Sequence, residues 1–225
     1  MKQFEMDDLI YNLISARVPG PEEHFLLNPF GLLYEEITAS NLDKVDLDGN
    51  IIFDTEDRIN PAGIAIYSCV RRERRDMHCV IHTHTTAGVG VSSQEEGLLP
   101  QSKTSLFYEK LIGYHEYEGL ALNLEEQKRF IADLGKEKQL LILKTHGLLS
   151  CDKSIPEVFI MMYYLEQACR MQIVAQAGNK ITLPSPQVQQ LAHQQPMRGF
   201  GTLLCVMEFT ALKRRLDRMG SDYAN

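Results

Sequence analysis

Two short apolar runs, each ending in histidine, constrain this chain more than any other feature. Cys79-Val80-Ile81 leads into His82-Thr83-His84, and Leu140-Leu141-Ile142-Leu143-Lys144-Thr145 leads into His146-Gly147. Such runs are strand-like, and a strand sets residues i and i+2 on one face, so His82 and His84 present two imidazoles side by side. Gly147 permits a tight turn where His146 could swing toward them. Three neutral nitrogen ligands with an open position suit zinc, iron or manganese. The bland reading stands beside this one, because an HxH pair alone is weak and many such histidines are simply hydrogen-bonded core residues.

Apolar residues at 44% and charged residues at 24% of 225 are ordinary for a globular chain, so one domain spanning residues 1–225 is the simplest organisation. The net charge is −7 and basic residues are interspersed with acidic ones, which leaves no footprint for nucleic acid. The first residues lack the apolar core of a signal peptide, and no apolar stretch is long enough to span a bilayer; the expectation is a cytoplasmic protein with no membrane partner. Cys69, Cys79, Cys151, Cys169 and Cys205 include no CxxC pair, which argues against a disulfide framework or a thiolate zinc knot.

Val45 to Phe53 reads as two strands joined by the Asp48-Gly49 turn. Asn60-Pro61-Ala62-Gly63 opens a helix running to about Arg75, and its Arg71-Arg72-Glu73-Arg74-Arg75 end reads as a solvated C-terminus. Asn123 caps a second helix, with Glu126 at the reciprocal capping position and Gly135 as its stop. Ser154-Ile155-Pro156-Glu157 opens a long helix that Gly178 ends; its Met161, Met162, Tyr163 and Tyr164 read as core or subunit contact. The segment from Ile181 to Pro196 reads as extended or loosely helical, and Phe209 to Met219 as a last amphipathic helix. Alternating strands and helices with an early hairpin imply an α/β layered domain with a mixed sheet, whose ligands gather at strand ends.

A series of motifs in order along the chain resembles the class II aldolase/adducin family. It comprises Tyr11-Asn12-Leu13-Ile14-Ser15-Ala16-Arg17-Val18-Pro19-Gly20, Asn28-Pro29-Phe30-Gly31, Glu36-Ile37-Thr38-Ala39-Ser40, Asn60-Pro61-Ala62-Gly63, His82-Thr83-His84-Thr85-Thr86-Ala87-Gly88, Gly97-Leu98-Leu99-Pro100, Tyr114-His115-Glu116-Tyr117-Glu118-Gly119 and His146-Gly147-Leu148-Leu149. The resemblance implies a three-layer α/β/α sandwich around a mixed, largely antiparallel sheet. It also implies one divalent metal, zinc first and manganese or iron next, on His82, His84 and His146, and a homotetramer. The activity it implies is that of a lyase acting through a metal-stabilised enolate on a small hydroxy or keto carbonyl, sugar-phosphate or carboxylated substrate. Its rival implication is a non-catalytic, adducin-like interaction module that binds the actin cytoskeleton and retains a metal site.

This chain departs from the aldolase pattern in three places. Gly63 stands where family aldolases carry a catalytic Glu, Leu13 stands where a His commonly follows the Asn, and the expectation is that the usual N-terminal helix ahead of Tyr11 is lacking, either by natural shortening or by a late-placed start. Without that carboxylate, decarboxylation or enolisation is easier to accept than a full retro-aldol cleavage. Proton return could then come from water, Tyr114, His115 or Tyr117, with His115 and Tyr117 ahead; the same stretch reads equally as structural strand. By analogy with the family's phosphate loop, Asn12, Ser15 and Arg17 are candidates for gripping a substrate anion, Arg17 offering a planar fork. Thr38 and Ser40 could add hydroxyl donors, and Tyr223 lies on a tail that in the family can reach a neighbouring subunit.

Overall fold

The computed structural model describes residues 1–52, 59–119, 124–178, 180–195 and 201–225. Seven strands form one sheet: β1 Leu13–Arg17, β2 Phe25–Leu27, β3 Asp43–Val45, β4 Cys79–Thr83, β5 Ile112–His115, β6 Leu140–Leu143 and β7 Gly147–Asp152. Their spatial order is β3-β2-β1-β4-β7-β6-β5. Only β5 and β6 run parallel; every other neighbouring pair is antiparallel, as the family resemblance implies.

The strands are short, and the four residues of β6, a compact apolar run, are buried on both faces. Such two-sided burial requires helices above and below. The helices are α1 Pro61–Glu73, α2 Thr86–Ser92, α3 Lys103–Tyr108, α4 Leu124–Leu134, α5 Ile155–Ala177, α6 Pro186–Gln194 and α7 Gly201–Arg218. On one face Val80, Leu141, Leu143 and Leu149 pack with Val70, Phe130 and Leu134 of α1 and α4. On the other Cys79, Ile81, Leu140, Ile142 and Leu148 pack with Val91 of α2 and with Val158, Met162 and Leu165 of α5. Strand alternation therefore turns the even-numbered residues of β4 toward α1 and α4, which is the side His82 faces.

Local signals account for most element ends. The Asn60 side chain accepts the Ala62 N–H at the head of α1, and Ser154 caps α5 while its hydroxyl donates to Glu157. Gly135 ends α4 in the left-handed region at φ 57°. The expected hairpin forms only in part: Val45 bridges to Ile51 across a turn in which Asp46 accepts the N–H groups of Asp48 and Asn50, and Phe53 lies outside the described residues. The Asn123 cap lies outside them as well. The segment after Ile181 holds the defined helix α6, and the last helix starts at Gly201, ahead of the expected Phe209.

The arginine run is not a uniformly solvated helix end. Arg71 and Arg74 are buried, Arg71 over the Phe25 ring with its guanidinium donating to the Met77 carbonyl, and Arg74 paired with Asp76 while donating to the Gly135 and Lys138 carbonyls. Helix periodicity explains the difference, since residues three apart share the inward face while Arg72 and Arg75 point to solvent.

Candidate metal centre

The three histidines converge. His82 ends on β4, His84 follows it, and His146 closes the turn between β6 and β7, where β7 lies against β4 with His82 opposite Leu149. Ring centroids are 4.5 Å apart for His82 and His84 and 4.9 Å for each pair with His146. The candidate ligand atoms all lie within 4.8 Å of one another, and this is the one His/Cys/Asp/Glu cluster of that kind among the described residues.

The turn works differently from the expectation. Thr145, not Gly147, takes the left-handed conformation, at φ 54°. Gly147 is required instead by close approach: a Cβ there would stand 2.3 Å from the Thr83 carbonyl oxygen and 3.4 Å from the His84 ring. Glycine thus lets β7 run tight enough against β4 for His146 to reach the pair.

Two of the three rings are oriented by a hydrogen bond on the outer side. His82 Nδ1 donates to the Leu148 carbonyl at 2.9 Å, and His84 Nδ1 lies 3.1 Å from the Asp8 carboxylate. Both bonds leave Nε2 as the lone pair facing the centre. Burial, then the neighbouring His84 and His146, hold the His82 imidazole well below the usual histidine range. Burial, followed by His84 and His115, pushes His146 down to about 4. Those two rings are therefore neutral near pH 7, the state a metal ligand needs.

His84 Nε2 and His146 Nε2 are 3.1 Å apart. Two lone pairs at that separation repel unless a proton or a cation lies between them. Two nitrogens each about 2.0–2.1 Å from one tetrahedral ion stand roughly 3.3 Å apart, so the donor set fits a divalent metal.

The other sequence candidates distribute unevenly around this centre. Tyr117 stands beside it, its ring 5.8 Å from His146, and is half exposed. His115 is buried on the α4 side, its Nδ1 2.8 Å from Asp133 and its Nε2 3.9 Å from Glu126, and a small cavity lined by His115, Tyr117 and Glu126 reaches His146. Tyr114 points to the opposite face of β5, where its hydroxyl accepts the Leu98 N–H. Asn12 is buried and committed within the protein: its Oδ1 accepts the His84 N–H and its Nδ2 donates to the Met6 carbonyl. Ser15 is fully buried opposite Val80, and Arg17 lies at the far end of β1 with Glu23 3.4 Å away. Thr38 and Ser40 bond to each other, and the tail docks there, with the Ala39 and Ser40 N–H groups donating to the carbonyls of Tyr223 and Asn225.

Three acids at or near the site were not singled out from sequence for these contacts: Asp8, Glu126 and Asp133. Asp8 carries no local signal, since its contact with His84 spans 76 positions. Glu126 is buried on the inward face of its helix, and its expected capping partner Asn123 lies outside the described residues. A signal for it exists, because Glu126, Phe130 and Asp133 fall at i, i+4 and i+7 on one face of α4.

The family model described as "Class II Aldolase and Adducin N-terminal domain" matches residues 1–173. The "Putative aldolase class 2 protein" of Caulobacter vibrioides is 46% identical over 221 residues, 97% of this chain and 85% of that protein. Alpha-adducin of Rattus norvegicus is 38% identical over 231 residues, covering 96% of this chain and 31% of that much longer protein. The crystal structure of an aldolase II superfamily protein from Pseudomonas syringae superposes with a TM-score of 0.95 at 43% identity, over 100% of this chain and 90% of that one.

Proposed function

Because the chain belongs to the family of the class II aldolase and adducin N-terminal domain, we propose that it is a metal-dependent lyase acting through an enolate on a small hydroxy or keto carbonyl, sugar-phosphate or carboxylated substrate. The observation that carries this reading is the convergence of His82, His84 and His146 with their lone pairs turned inward. A divalent cation held there, zinc first and manganese or iron next, would supply Lewis acidity toward oxyanion charge developing on the substrate.

The chain's own residues bias the reaction. No carboxylate extends from position 63, and the space beside Gly63 is taken by Leu13: a Cβ on Gly63 would lie 2.8 Å from the Leu13 side chain. Two of the three departures from the aldolase pattern, Gly63 and Leu13, are thus one packing contact, an apolar residue filling the room where a carboxylate would otherwise stand. Decarboxylation or enolisation, which needs no base at that position, is the chemistry this contact favours. Tyr117 beside His146 and the buried His115 are our candidates for handling the proton, a reading their nearness to His146 supports. Thr38, Ser40 and Arg17 remain our candidates for binding a substrate anion; Asn12 and Ser15 act through the strands they brace. We also take the protein to be a cytoplasmic homo-oligomer, a tetramer by family analogy; among the described residues no helix is long and apolar enough to cross a membrane.

Elemental analysis of the purified chain tests the reading. One divalent metal per chain is expected, lost in His82→Ala and His84→Ala. Wild-type protein that neither carries nor takes up metal would sink it. With metal bound, sugar phosphates are to be screened against keto and aromatic carboxylates. The 38% identity with alpha-adducin favours a second reading, an interaction module that retains the metal site. Co-sedimentation with actin filaments, together with inactivity across the substrate screen, would select it.

A further inference from the structure

Glu126 and His115 form a buried pair that packing alone does not explain. Each is about 5% exposed, and both sit on the face of the sheet that His82 also faces. Asp133 accepts the His115 Nδ1–H at 2.8 Å, which leaves Nε2 as the ring's free lone pair. That atom is fully buried and has no hydrogen-bond partner among the described residues. The Glu126 carboxylate faces it at 3.9 Å, too far for a hydrogen bond. An acceptor nitrogen and a carboxylate at that separation, both desolvated, call for a donor between them.

The space beside them suits one water. The cavity lined by His115, Glu126, Tyr117 and His146 has a volume of about 10 Å³, roughly what a single water occupies. A water about 2.8 Å from both Nε2 and the carboxylate would donate one proton to each and satisfy the unpaired ring nitrogen.

We propose that Glu126 and His115 hold one water beside the metal centre and act with it as the proton store of the lyase reaction, Glu126 positioning the water and the ring. This deepens the lyase reading and rests on it. The carbon–carbon bond breaks with its electron pair left on the carbonyl-bearing fragment as an enolate. The protonated ring gives its Nε2 proton through the water to the enolate carbon, a C–H bond forms from that electron pair, and the imidazole returns to neutral. In a retro-aldol cleavage the ring first receives that proton from the hydroxyl of the departing fragment, which leaves as a carbonyl compound. In a decarboxylation the proton comes from solvent and carbon dioxide leaves. Glu126 on α4 thus places a carboxylate at the site from a different element than the helix carrying Gly63.

Two measurements test this. Long-range nitrogen–proton NMR of the histidine side chains reads the pair in metal-free protein, without substrate. Glu126→Gln is expected to shift the His115 Nε2 resonance while those of His82 and His84 stay in place; an unmoved His115 resonance overturns the pairing. Exchange of carbon-bound protons in deuterium oxide reads the role, using the zinc-loaded full chain with dihydroxyacetone phosphate and pyruvate as probes. Glu126→Gln is expected to slow exchange by about 10²-fold or more at equal zinc content, with partial recovery in Glu126→Asp. Wild-type exchange that Glu126→Gln leaves unchanged overturns the proposal and leaves the lyase reading standing. Absence of exchange in the zinc-loaded wild type counts against the lyase reading itself, and the NMR result then decides the buried pair on its own.

Discussion

Single residues at this site are set by what lies on their far side. His84 is a useful ligand because Asp8 holds its Nδ1–H, and His82 because the Leu148 carbonyl does the same. Asn12 braces the same structure, tying the His84 backbone to the Met6 carbonyl through one amide. Asp152 shows the opposite balance at the far end of β7. Burial, partly offset by the Lys153 N–H, pushes its carboxyl up from 3.8 to about 6. A carboxyl raised on folding contributes fully below about pH 3.8 and loses that contribution as pH rises through about 6. Asp152→Asn is therefore expected to raise the melting temperature relative to wild type at pH 7 to 8, and the gain should fade toward pH 4. Melting curves across that range check both the sign and the window; a gain that persists at pH 4 would place the cause outside this ionisation.

At the scale of elements, the centre is a junction of three strand ends and one helix face. β4 delivers His82 and His84, the turn between β6 and β7 delivers His146, β5 delivers His115, and α4 brings Glu126 and Asp133 against it. The close pass of β7 over the end of β4 is the tightest joint, because the backbone oxygen of Thr83 occupies the space beside Gly147. Gly147→Ala must push the two strands apart, since a backbone atom cannot turn away as a side chain can. A loss of about 1–3 kcal/mol is expected from such overpacking, measurable by urea denaturation. Metal content should fall with it, as His146 moves off the other two rings. The caps of α1 and α5 could be read in sequence because they depend on residues within one turn. The hairpin after Val45 pairs as far as the described residues reach, Val45 bridging Ile51 and the Ile52 N–H donating to the Lys44 carbonyl.

For the whole molecule, helices on both faces of the sheet leave little of β4, β6 or β7 open to water, so the centre sits at the edge of a rigid block. The C-terminal helices are less complete. Leu203, Val206 and Met207 of α7 are 55%, 41% and 58% exposed, apolar surface that a second copy of the chain would cover. Sedimentation of the wild type is expected to give a homo-oligomer, and Val206→Glu to shift it toward smaller species. A monomeric wild type at micromolar concentration would remove the tetramer from the proposal.

The sequence by itself determined the long helices, the two histidine-bearing strand ends and the family, because strand parity, caps and motif order are written within a few residues of one another. The three-layer sandwich and its largely antiparallel sheet came from the same motifs and agree with the structure. Tertiary structure decided the rest, since contacts between distant segments leave no periodic trace. It alone brought Asp8 to His84, filled the space beside Gly63 with Leu13, made Gly147 a matter of strand approach, and buried Glu126 against His115.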